Sequence, residues 1–200
     1  MLNFEKKLKN YKNLEYICGC DEAGRGPSAG PLYAACVIMS KDYINHDIND
    51  SKKLSIKKRE HLYNEIIKNA LDYFIIKKDA LFVDKYNPKA SSKIAMKEAI
   101  LALKIKPDLV ISDYEKIDLD INQINLIKGD EQAFSVACAS ILAKVSRDKE
   151  MLEIAKKYPG YDFENNKGYF TKKHKLGIEK LGLCKEHRLS YKNIKAYIKK

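Results

Sequence analysis

The sequence predicts an α/β protein in which a mixed β-sheet is flanked by helices and followed by a small helical C-terminal segment. Three observations lead there. Short apolar runs come first, at residues 16–20 and 32–39. Further short runs then alternate with longer stretches of helical periodicity, and residues 158–200 turn more basic. With 200 residues, 45% of them hydrophobic, the chain is long enough for one compact core.

Residues 16–20 predict a short buried strand ending in Asp21 and the stretch EAGRGPSAGP, and residues 32–39 a second strand, which makes a hairpin around an unusual loop. Polar NDSKK leads to Leu54 and Ser55, an N-cap for a helix with Ile56, Leu62, Tyr63, Ile66 and Ile67 at helical spacing. Residues 71–76 predict a third strand. Pro88 opens a second helix running to Leu103, and Pro107 precedes the run Leu109, Val110, Ile111, which stops at Ser112 and Asp113. A strand over 124–127 runs into Lys128, Gly129 and Asp130. Residues 135–157 then form a long helix whose Ala, Cys and Ser content permits close packing on a sheet. Residues 158–200, with a helix-like IEKLG segment, are expected to pack on the 1–157 core within a single domain.

A formal net charge of +11 points to a polyanionic partner if the excess gathers on one face. An AT-rich genome's preference for Lys, Asn and Ile would produce the same count. No stretch approaches the ~20 apolar residues of a membrane span, and the start lacks the apolar core of a signal peptide. A cytoplasmic monomer is expected. The five cysteines, Cys18, Cys20, Cys36, Cys138 and Cys184, lie mostly in apolar runs, as buried reduced thiols do. Cys18 and Cys20 share a strand face, but no second Cys or His pair follows at zinc spacing.

Asp21, Glu22, Asp113 and Asp130 all fall where buried strands end, which would bring them to one edge of the sheet. Carboxylates gathered there repel unless cations neutralise them, and an all-oxygen set favours Mg²⁺ or Mn²⁺ over zinc. Taken singly, each is more readily an ordinary turn or N-cap residue. Gly24, Gly26 and Gly30 let backbone N–H groups approach a phosphate or sugar oxygen, with Arg25 adding a charged fork. The spacing matches neither the dinucleotide fingerprint nor the P-loop, and a tight turn is the plain alternative.

The run CDEAGRGPSAGPLYAACVI is similar to the opening motif of the ribonuclease HII family. NDSKKLS at 49–55, KGD at 128–130 with SVACASILAKVSRD at 135–148, YPGYDF and NKGYFTKKH at 158–174, and EHRLSY at 186–191 resemble further family blocks in the family's order. The resemblance implies a ribonuclease H-like fold and divalent-metal hydrolysis of the phosphodiester on the 5′ side of a ribonucleotide. The substrate would be an RNA/DNA hybrid or duplex DNA containing ribonucleotides. It maps the family's carboxylate quartet onto Asp21, Glu22, Asp113 and Asp130; of these, we take Asp21 and Asp113 as the most central ligands. It also implies that Gly24, Arg25 and Gly26 read the 2′-hydroxyl and that Tyr169 packs against the neighbouring sugar. Lys52, Lys53 and Lys144 are candidate phosphate contacts.

Two positions depart from the family. Tyr114 stands where glycine usually follows the third carboxylate, and Asn166 where histidine commonly precedes Lys-Gly-Tyr. His46, His61, His174 and His187 show no catalytic partner by spacing and are read as surface or packing residues, with His187 and Arg188 a potential nucleic-acid contact. The competing readings are a related metal nuclease with another substrate, and a basic nucleic-acid-binding protein without activity.

Overall fold

The computed structural model describes residues 4–8, 10–48 and 54–198. Its regular elements are β1 (Ile17–Ala23), β2 (Leu32–Met39), α1 (Ile56–Asn69), β3 (Ala70–Lys78), α2 (Ala80–Leu101), β4 (Leu109–Asp113), β5 (Gln123–Leu126) and α3 (Phe134–Lys157), followed by the short α4 (Phe163–Asn166), α5 (Lys172–Leu181) and α6 (Lys192–Lys195). The sheet order is β3-β2-β1-β4-β5. β1 pairs antiparallel with β2 and parallel with β4, so the sheet is mixed, as the sequence predicts.

Side chains on a strand alternate between faces, and β2 shows the consequence clearly. Leu32, Ala34, Cys36 and Ile38 pack with Val83, Ala95, Met96 and Ala99 of α2. Ala35, Val37 and Met39 pack on the other face with Leu62 and Ile66 of α1 and with Ala137, Ile141 and Leu142 of α3. The small residues of α3 do let it sit close to the sheet. At Gly19 a Cβ would lie 2.1 Å from the Ser135 carbonyl carbon, so only glycine lets the start of α3 cross β1 there. The N-cap position of α3 is Ala133, which has no capping side chain. Glu5 supplies the missing acceptor from the far end of the chain, taking the N–H groups of Phe134 (3.1 Å) and Ser135 (2.8 Å).

Two boundaries differ from expectation. Asp21 and Glu22 lie within β1, not beyond it, because the antiparallel ladder continues through Asp21–Ala35, Glu22–Ala34 and Ala23–Tyr33. On the other side the parallel ladder stops at Cys20–Ser112, which leaves the two acids past the end of β4 pairing. α2 begins at Ala80, capped by Asp79, and breaks at Asn87 (φ 62°, ψ 159°) before resuming at Pro88. The predicted start at Pro88 is thus the second half of a kinked helix. Asn87 caps that half by accepting from Ala90 N–H at 3.0 Å. Among the described residues no helix is long and apolar enough to cross a membrane.

Candidate active site

Parity along β1 decides what each acid meets. Cys18 and Cys20 face α2, and Glu22 continues that face, where its Oε2 accepts from Ser92 Oγ of α2 at 2.8 Å. Ile17, on the other face, packs with Val136 of α3. Asp21 continues that side and accepts from the Ser140 side chain of α3. In β4, Leu109 and Ile111 share the Ile17 face, which brings Asp113 round to the same edge as Asp21. Asp113 Oδ1 is fixed by Gly129 N–H at 2.8 Å.

Asp21, Glu22 and Asp113 line one cleft of about 320 Å³ together with Gly24, Arg25, Gly26, Ser140, Lys144, Arg147 and Tyr169. Burial, then the neighbouring Glu22 and Asp113 carboxylates, push the Asp21 carboxyl well above the usual carboxylate range. Glu22 is also raised, chiefly by burial, although Ser92 and Arg25 hold it back. Such mutual destabilisation of the ionised forms, in an all-oxygen donor set, suits a divalent cation. Asp130 does not line this cleft. It is buried in the 3-10 turn Gly129–Glu131, next to the glycine that binds Asp113.

The opposite wall is the glycine loop. Gly24 has φ 103°, and a Cβ there would lie 2.3 Å from Arg147 Nε, so both conformation and space require glycine. The Tyr169 ring reaches over Gly26, where a Cβ would be 3.3 Å from Cε1, and the side chain is 52% exposed. Lys144 borders the cleft and is paired with Asp148. Lys52 and Lys53 lie outside the described residues.

Buried arginines hold the loop from behind. Arg147 Nε donates to the Pro31 carbonyl (2.8 Å) and Nη2 to that of Ala29 (3.3 Å). Arg188 donates from Nε (3.0 Å) and Nη2 (2.8 Å) to Gly30 O and from Nη1 to Arg25 O (3.4 Å). Being fully buried, Arg188 is not a nucleic-acid contact, which corrects the expectation from sequence. His187 is buried too and pairs with His174 through Nε2–Nε2 at 3.1 Å. Hydrogen-bond partners assign the tautomers. Cys184 N–H donates to His187 Nδ1 (2.9 Å), so His187 Nε2–H donates to His174, whose Nδ1–H donates to Tyr169 O (2.9 Å). The neutral pair therefore ends on the carbonyl of the tyrosine at the cleft. His46 and His61 are exposed.

A family model described as Ribonuclease HII matches residues 18–194. The chain belongs to the ribonuclease HII family. A Ribonuclease HII of Caldicellulosiruptor bescii is 50% identical over 192 residues, covering 95% of this chain and 93% of the relative. The ribonuclease H2 of Pyrococcus horikoshii OT3 superposes with a TM-score of 0.81 at 24% identity, over 91% of this chain and 96% of that one. Bst-RNase HIII in complex with Mn²⁺ gives 0.67 at 18% identity, over 92% and 69%. The fold is thus ribonuclease H-like, and this ribonuclease HII is an endonuclease acting on nucleic acid.

Both departures from the family now have a structural account. Tyr114 adopts φ 63°, the left-handed conformation that glycine takes most easily, and its side chain points outward, 56% exposed. Asn166 bridges the Lys-Gly-Tyr turn, donating to Tyr161 O and accepting from Gly168 N–H, each at 2.8 Å. Sequence reading missed Ser92, Ser140 and Arg147. Of these, Ser140 and Arg147 had a signal, because with Lys144 they repeat along one face of α3.

Proposed function

We propose that this ribonuclease HII hydrolyses the phosphodiester on the 5′ side of a ribonucleotide, in RNA/DNA hybrids or embedded singly in duplex DNA. One observation carries the reading: Asp21, Glu22, Asp113, the glycine loop and Tyr169 border a single cleft. Asp21, Glu22 and Asp113 hold Mg²⁺ or Mn²⁺, with Asp130, on the turn bound to Asp113, as the fourth acid. When bound, the metal lowers the pKa of the attacking water and stabilises the leaving oxygen.

The chain's own groups do the recognition. Backbone groups of Gly24, Arg25 and Gly26 meet the 2′-hydroxyl, which both donates and accepts. The Tyr169 face packs against the adjoining sugar, and Lys144 exchanges Asp148 for a backbone phosphate, with Lys52 and Lys53 as further phosphate contacts. Residues 158–200 serve as a brace that fixes loop and tyrosine on the 1–157 core, and the protein acts as a cytoplasmic monomer. A DNA duplex with one ribonucleotide, incubated with Mg²⁺ or Mn²⁺, should be nicked immediately 5′ of it to leave a 3′-hydroxyl. Cleavage of long hybrids alone would leave the fold's nuclease chemistry standing and reject the single-ribonucleotide specificity.

A further inference from the structure

Glu115 is a buried carboxylate that the reaction as described does not use. The left-handed turn at Tyr114 brings it back beneath the cleft, with its N–H donating to Asp113 O at 2.7 Å and its own carbonyl held by Ser112 Oγ at 2.7 Å. Its Oε1 lies 3.2 Å from Arg25 Nη2, an ion pair without hydrogen-bond alignment, and its Oε2 lies 3.9 Å from Lys89 on the second half of α2. The same guanidinium donates a long hydrogen bond from Nη1 to Glu22 Oε1 at 3.5 Å. Arg25 is thus shared between a carboxylate at the cleft and one buried below it.

We propose that Glu115 is a positioning residue that draws Arg25 away from Glu22, keeping the Glu22 oxygens available to a divalent cation. A guanidinium committed to Glu22 would compete with the ion for the same lone pairs and add a repelling positive charge beside it. Glu115 balances that charge from a place the ion does not occupy. The sequence around it is DYE, with Tyr114 where the family resemblance leads one to expect glycine after the aspartate. The inference rests on Glu22 being a metal ligand, as proposed above.

Mn²⁺ binding, read by calorimetry on the nucleic-acid-free protein, tests it. Glu115→Gln keeps the shape and removes the charge, and should weaken Mn²⁺ binding about tenfold, while Glu115→Asp should recover most of the loss. Arg25→Ala, which cuts the same contact from its half-exposed side, should tighten Mn²⁺ binding severalfold. In the Arg25→Ala background, Glu115→Gln should cost less than about threefold, because the residue through which it acts is gone. An equal loss in both backgrounds, or unchanged affinity in Arg25→Ala, overturns the proposal. The Arg25→Ala comparison stands even if Glu115→Gln does not fold. Glu22→Gln separates the two levels: undiminished Mn²⁺ binding there rejects the ligand assignment itself, whereas lost binding there with an unaffected Glu115→Gln rejects only the role of Glu115.

Discussion

Two groups of buried charge meet at the glycine loop, and they are handled in opposite ways. On the sheet edge, Asp21 and Glu22 are crowded against Asp113, and burial with mutual repulsion raises their proton affinity. Behind the loop, Arg147 and Arg188 are at least as buried, but their donors are matched to backbone carbonyls of residues 25, 29, 30 and 31. Burial holds Arg147 down to about 10, still far above neutrality. The difference teaches how to separate function from structure among buried ionic groups. Charge met by fixed backbone dipoles makes scaffold, while charge left in mutual conflict awaits a ligand.

The largest expected effect tests the conflicted side. Asp21→Asn should lower cleavage by at least about a thousandfold. The same change should raise the metal-free thermal midpoint, worth about 1–2 kcal/mol, since it removes a buried charge repelled by its neighbours. Binding to duplex should persist. A variant that loses both activity and stability would show that Asp21 is structural and break the distinction.

Next is the matched side. Arg188→Ala should cost about 3 kcal/mol in denaturant titrations, because the Gly30 carbonyl loses both of its buried guanidinium donors while Arg25 O keeps only the Tyr191 hydroxyl. Arg188→Lys should rescue little, having no planar fork to span two carbonyls.

Acid should then move the two sides in opposite directions. His187 is held down to about 4 from 6.5, first by burial and then by His174. The unfolded chain takes up this proton near pH 6.5 and the folded one only near 4. Stability is therefore full above 6.5 and falls between 6.5 and 4, by about 2–3 kcal/mol for His187. Asp21 and Glu22, raised in the fold, do the reverse: their contribution is full below the unfolded carboxylate range and is lost as pH rises through the folded values. Urea midpoints at pH 7 and 4.5 should show the fall shrinking in His187→Gln and deepening in Asp21→Asn.

The smallest effect concerns the turn beside Asp113. Tyr114→Gly relieves the left-handed backbone but frees the unfolded chain, for a net gain of about 0.5–1 kcal/mol with the cleavage rate unchanged. A large rate loss would make the exposed ring part of the substrate site.

Much of this was legible in the chain. Alternating apolar residues in β2 and the small-residue run of α3 disclosed the sheet and its covering helix. Strand-end placement groups Asp21, Glu22, Asp113 and Asp130 at one sheet edge, of which the first three line the cleft and Asp130 lies in the adjoining turn. What escaped were pairings over long separations. Nothing near Ala133 signals that Glu5 will cap α3, and His187–Arg188 has the composition of a nucleic-acid contact until its burial is known. Glu115 escaped for a different reason, since its role depends on a left-handed tyrosine that residue preferences would not choose.

The hydrogen bonds between loop and C-terminal residues also order events in time. Gly30 N–H donates to Glu186 O, and Ser28 is held by the Arg188 N–H and by Asn193. During synthesis from the N-terminus, the loop at 24–30 is made long before its anchors at 186–193. A nascent chain can therefore assemble sheet and α3 while its loop still lacks the anchors that residues 186–193 bring.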